Sequence, residues 1–254
     1  MNRPLAWSSR RGDVAEIVLD RPERHNSLVP ALLDDLHGAI ETVAADDGAA
    51  AVVLRGNGRS FSTGGDVRGF YEAEDVGAYA DGLVAKLNEC VLGLYRMHCP
   101  IVCLVQGLVT GGSMGLVLAS DVVLLDEAAS FTPWYGPVGF SPDGGWTALA
   151  PAVIGRGRTA QLLFSNRTLT AREALDWGIA DRVVPLDVLA EVGRVTAERI
   201  ARMRPGALRS ARSLLHADAE TVAAKLDAER AAFVTQIQSP EAREGMRAFL
   251  EGSR

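Results

Sequence analysis

Lysine is almost absent from this 254-residue chain. Lys86 and Lys225 are the only two, against 24 arginines, and the net charge is −6. No basic block stands out, so the electrostatic footprint of a nucleic-acid binder is missing. Arginine suits phosphate groups wherever a site presents them. Cysteine is scarce too: Cys90, Cys99 and Cys103 are odd in number and lack C-x-x-C spacing, which predicts reduced thiols in a cytoplasmic setting. No apolar run reaches membrane-spanning length, and the N-terminal MNRPLAWSSRRGD has no apolar core for a signal peptide. Glycine is plentiful, yet no G-x-G-x-x-G or G-K-[ST] occurs, which argues against dinucleotide and P-loop sites. No histidine–cysteine–acid cluster has metal spacing, so no metal is expected.

What is present reads as an ordinary globular chain, 48% hydrophobic and 23% charged. Val14 to Leu19 is a β-branched run stopped by Asp20-Arg21-Pro22-Glu23. Leu32, Leu33, Leu36, Ile40 and Val43 repeat at helical spacing and predict a helix from Pro30 to Ala44. Strands follow at Ala50–Leu54, Ile101–Val105 and Val122–Leu125, with a helix near Val76–Met97. Thr170-Ala171-Arg172-Glu173 is a capping box whose helix ends at Gly178, and Ser239-Pro240-Glu241 opens the last helix. Alternating strands and helices give an α/β core over 1–185 with parallel pairing, and 186–254 reads as a helical extension of the same domain.

Two glycine-rich loops carry the functional signal. Gly58-Arg59-Ser60-Phe61-Ser62-Thr63-Gly64-Gly65-Asp66 and Gln106-Gly107-Leu108-Val109-Thr110-Gly111-Gly112-Ser113-Met114-Gly115 each follow a buried strand and precede a helix. Two N–H donors converging from such loops would form an oxyanion hole; tight turns alone would also account for the glycines. The second loop also fits G-x-S-x-G, which leaves a serine hydrolase using Ser113 as an alternative, although Gly107 interrupts the strand that such an elbow needs.

The stretches LDRPERHNSL, VVLRGNGRSFSTGGDV and QGLVTGGSMGLVLASD, followed in order by FSPDGGWTALAPAVIG, LTAREALDWGIADRVVP and SPEAREGMRAFLE, resemble the enoyl-CoA hydratase/isomerase (crotonase) superfamily from about residue 10 onward. The resemblance implies a spiral of ββα units, assembly as a trimer or hexamer, and an acyl-CoA thioester as substrate. Coenzyme A then arrives with the substrate, and no separate cofactor is needed. It places the oxyanion-hole N–H groups on Gly65 and Gly112, and Arg24 near the coenzyme A phosphates, where a solvated surface arginine is the other reading. Ser62, Gly64, Gly65, Tyr135 and Phe140 fall among its substrate-contacting positions.

The two glutamate positions of the family's hydratases fall on Gly115 and Tyr135, so hydration by the usual two-glutamate route is doubtful. Asp143 lies where some isomerases of the family carry an acid, which implies double-bond migration from 3-enoyl to 2-enoyl thioester. Phe140, Trp146 and Trp134 could supply apolar surroundings that raise its pKa. Ser141-Pro142-Asp143-Gly144-Gly145 reads equally as a turn with Asp143 as helix cap. Another crotonase-type reaction (an atypical hydratase or lyase, or a thioester hydrolase) and a non-catalytic thioester binder also stay open. Asp66 and Asp121 read as braces; Glu229 and Glu241 read as capping or surface charges.

Overall fold

The computed structural model describes residues 3–252; the first two residues of the N-terminal stretch and the last two of the helical extension lie outside them. Among the described residues nine strands form two sheets: β1 (Ala6–Arg11), β2 (Val14–Leu19), β3 (Ala51–Gly56), β4 (Ile101–Val105), β5 (Leu108–Thr110), β6 (Val122–Asp126), β7 (Ser130–Thr132), β8 (Leu169–Thr170) and β9 (Arg182–Val184). The larger sheet runs β1-β2-β3-β4-β6-β9, with a β1–β2 hairpin and every other pairing parallel. The smaller sheet runs β5-β7-β8. β4 feeds β5 and β6 feeds β7, so successive strands leave one sheet for the other, and the glycine loops sit at that corner.

The central strands β3 and β4 of the larger sheet are largely apolar on both faces because both are covered. One face meets the helix Pro30–Ala44, whose Leu32, Leu33, Leu36, Ala39, Ile40 and Val43 are buried at the predicted spacing. The other face, with Val53, Val102, Leu104 and Leu124, packs against Leu189 and Ala197 of the helix Leu186–Ala201. The first helix of the C-terminal extension is therefore part of the sheet's own packing. Further on, the helix Ala219–Ile237 lies along Val76–Tyr95 and buries Val222, Leu226, Phe233 and Ile237.

Several local expectations are met. Pro30–Ala44 and β2 have the predicted bounds, the capping box at Thr170 is complete, and Gly178 closes its helix at φ +86°. Ser239 accepts from the Ala242 N–H at 3.1 Å. β1 was not anticipated: AWSSRR has no β-branched run, and its hairpin with β2 secures it. The three cysteines are buried and unpaired, and burial pushes the Cys90 and Cys103 thiols up to about 12. Among the described residues no helix is long and apolar enough to cross a membrane.

Candidate active site

A cavity of about 690 Å³ opens between the two glycine loops, the turn before Trp146 and the C-terminal helices. Arg24, His25 and Arg68 stand at its rim, while Leu83, Leu87, Phe70, Phe140 and Phe233 line its apolar part. The rings of Phe70, Phe140 and Phe233 meet one another at 5.3–5.8 Å, the separation at which edge-on ring pairs attract. A second cavity of about 480 Å³ lies behind the larger sheet, against the helix Leu186–Ala201, and none of the predicted site residues lines it.

Gly65 and Gly112 both face the larger cavity. Gly65 forms a bridge with Leu28, in which Leu28 N–H donates to the Gly64 carbonyl and Asp66 N–H to the Leu28 carbonyl. The N–H of Gly65 itself takes no part in that pattern. Gly112 lies in the first turn of the short helix Gly111–Ser113, where backbone N–H groups have no partner within the helix. Two donors from separate loops thus border one space.

Asp143 lies beside them and is 5% exposed. The Tyr135 hydroxyl donates to the Asp143 Oδ1 at 2.6 Å and lies 3.0 Å from the Asp143 backbone carbonyl oxygen. The N–H groups of Gly145, Thr147 and Ala148 in the following turn go to Glu229, so Asp143 does not cap that turn. Desolvation pushes the Asp143 pKa up to about 7; the Tyr135 hydrogen bond opposes the shift and the nearby negative charge of Glu229 assists it. Burial and the Asp143 charge together hold the Tyr135 hydroxyl well above its usual range.

The geometry rests on main chain packed against main chain. Gly144 has φ +58°, and a Cβ there would meet the Gly112 carbonyl oxygen at 2.3 Å. A Cβ on Gly115 would lie 2.0 Å from the Gly144 carbonyl oxygen. One on Gly112 would come within 2.9 Å of Asp143 Oδ1. The three glycines let the Asp143 turn rest directly on the loop that carries the Gly112 N–H, and Trp146 Nε1 pins them by donating to the Gly111 carbonyl at 2.8 Å.

Comparison with known proteins bears on this geometry. A family profile described as "Enoyl-CoA hydratase/isomerase" matches residues 9–254. The chain belongs to that family. It is 30% identical over 241 residues to the 1,2-epoxyphenylacetyl-CoA isomerase of Escherichia coli, covering 93% of this chain and 92% of that one. It is 29% identical to the 2,3-dehydroadipyl-CoA hydratase of the same organism, with 96% and 94% coverage. Among solved structures, an enoyl-CoA hydratase/isomerase from Pseudoalteromonas atlantica superposes with a TM-score of 0.87 at 28% identity, covering 98% of this chain and 97% of that one. The fold is the crotonase fold, and the chain is an acyl-CoA-processing member of the enoyl-CoA hydratase/isomerase family.

The structure brings Asp143, Gly65, Gly112, Tyr135, Phe140 and Arg24 to one cavity of this family member. Ser62 and Gly64 do not join them. Ser62 is fully buried and donates to the Asn26 carbonyl at 2.8 Å, while Gly64 packs on the Thr110 carbonyl, where a Cβ would lie at 2.5 Å. Both hold the loop in place. Trp146 is buried near Asp143, but Trp134 is 43% exposed and meets Phe249. Asp66 caps the helix Val67–Glu72, and Asp121 accepts from Ile101 N–H and Arg212, so both are braces.

Ser113 has no nucleophile's environment: its hydroxyl donates to the Ser62 and Thr110 carbonyls, and His216 bonds Asp121 instead. Glu229 corrects the sequence reading. It is neither exposed nor a cap of its own helix; it is 5% exposed and accepts four hydrogen bonds from residues 145–148. An acid within a mostly charged helical stretch (Lys225, Asp227, Glu229, Arg230) gives no sequence signal of burial.

Proposed function

We propose that this enzyme shifts a double bond in an enoyl-CoA, from the 3-enoyl to the 2-enoyl thioester, with Asp143 as the base. Support comes chiefly from one observation. The carboxylate beside Gly112 is buried and raised to about 7, and the family's two hydratase glutamate positions hold Gly115 and Tyr135. Ionised Asp143 takes a proton from C2 of the substrate, and the electrons move onto the thioester oxygen. The N–H groups of Gly65 and Gly112 are the donors proposed for that oxygen, and each such donor is worth about 3–4 kcal/mol in the transition state. Protonated Asp143 then returns the proton to C4, and the double bond closes between C2 and C3. One base suffices because the proton that leaves is the proton that returns.

Tyr135 cannot replace a water-orienting glutamate, since its hydroxyl is bound to Asp143. At the other position, the Gly144 carbonyl occupies the space where any side chain of residue 115 would begin. Both features favour proton transfer within the substrate over addition of water. Arg24 at the rim suits the coenzyme A phosphates. Assembly as a trimer or hexamer belongs to the same reading and is supported by the exposed Phe164, Leu214 and Leu215. The test is turnover of 3-hexenoyl-CoA beside crotonyl-CoA. Isomerisation of the first with little hydration of the second is expected. Robust hydration of crotonyl-CoA without isomerisation overturns the proposal.

A further inference from the structure

The base turn is held from far along the chain. Glu229 sits on the helix Ala219–Ile237, outside the cavity lining, and reaches the turn from behind. Its Oε2 accepts from Gly145 N–H at 2.7 Å. Its Oε1 accepts from Thr147 N–H at 2.5 Å, Thr147 Oγ1 at 2.7 Å and Ala148 N–H at 2.9 Å. All four donors lie within five residues after Asp143. The backbone there is unusual, with Gly144 at φ +58° and Gly145 at φ +98°, so local preference alone does not fix where the carboxylate points. A glutamate meeting a surface need would not be buried, and an exposed cap would not engage three backbone N–H groups and a hydroxyl at once.

We propose that Glu229 is a positioning residue for the base: it clamps residues 145–148 so that Asp143 stays against Gly112. The assignment rests on Asp143 being the base. The titratable groups facing Asp143 are Tyr135 and Glu229; Leu87, packed against the same loop from the helix Val76–Tyr95, is apolar. Glu23, Arg24, His25, Asp66 and Arg68 line the same cavity at its wider part. Glu229 and Tyr135 act in opposite directions on Asp143, the first raising and the second lowering its proton affinity.

The test uses the full-length protein with Glu229→Gln, which keeps the shape and removes the charge. Two readouts are taken. One is kcat and KM on the 3-enoyl thioester. The other is infrared titration of the Asp143 carboxyl, identified by its loss in Asp143→Asn, which needs no turnover. Glu229→Gln should lower kcat about 10- to 100-fold through misplacement of the base. KM should stay within about 2-fold, because Glu229 does not reach the substrate. The Asp143 titration should move to lower pH. Unchanged kcat and unchanged titration in a folded variant overturn the assignment, as does an effect confined to KM.

Thr147→Val guards against a folding defect in Glu229→Gln. It removes one of the four hydrogen bonds and leaves the charge, so it should reduce kcat while the titration stays in place. An unchanged kcat there, with Glu229→Gln unfolded, also counts against the clamp. Should no isomerase turnover be found, the infrared titration still decides the role of Glu229. Isomerisation that survives Asp143→Asn would instead remove the base assignment and leave the titration result standing.

Discussion

Replacing Asp143 with asparagine should cost activity and add stability, and the sign of the second effect depends on pH. In the unfolded chain an aspartate titrates near 3.8, whereas burial raises Asp143 to about 7 in the fold. The folded state thus holds its proton more tightly. Asp143 imposes no penalty below the unfolded value, and stability is lost as pH rises toward and through 7. A gap of about three units corresponds to a ceiling of about 4 kcal/mol above that range. Asparagine carries no charge to bury and keeps an oxygen for the Tyr135 hydroxyl, so most of that loss should be recovered. At about 2–4 °C per kcal/mol for a chain of this size, melting at about pH 8.5 should rise by several degrees. At about pH 2.5, below the unfolded value of 3.8, Asp143 is protonated in the folded and the unfolded chain alike, and the difference should vanish.

The same substitution should lower isomerase kcat by about 10²–10⁴-fold, the usual contribution of a positioned base. Calorimetric melts at the two pH values, beside kcat on 3-hexenoyl-CoA, complete the experiment. A variant no more stable than the parent at high pH, or equally stabilised at both, would refute the claim that Asp143 is held against its own ionisation.

Three further outcomes follow from the geometry. In Tyr135→Phe the hydrogen bond that lowers the Asp143 pKa is gone, so the acid limb of the kcat–pH profile should shift upward; a downward shift contradicts the balance of forces described. In Gly115→Glu hydration should not appear, because its Cβ would meet the Gly144 carbonyl oxygen at 2.0 Å. Melting should instead show a loss of about 1–3 kcal/mol or more, typical of overpacking, while crotonyl-CoA hydration stays at background. In Ser113→Ala isomerase kcat should survive within a few-fold, with about 1 kcal/mol lost in stability. A fluorophosphonate probe should label neither form, and labelling that depends on Ser113 would revive the hydrolase reading.

Much of the architecture was legible in the chain because its signals are local. Helical spacing marked Pro30–Ala44, the Thr170–Glu173 box marked a helix start, and β-branched runs marked the parallel strands. The cavity residues Gly65, Gly112 and Asp143 came from motif order, and the structure gathers them. What escaped is non-local. Whether Asp143 capped a helix or faced a cavity depended on where the N–H groups of Gly145, Thr147 and Ala148 found their acceptor, and that acceptor is Glu229. Ser62 read as a substrate contact through the family resemblance; its partner, the Asn26 carbonyl, lies 36 residues away in sequence.

The bond from residue 145 to residue 229 also has a consequence in time. A ribosome makes the Asp143 turn long before it makes the helix that anchors it. Until that helix emerges and docks along Val76–Tyr95, three backbone N–H groups and a hydroxyl of the turn lack their acceptor. The nascent chain can form its sheets and its glycine loops first. A competent active site is then among the last things the polypeptide completes, so fragments ending before residue 229 should fold further than they function.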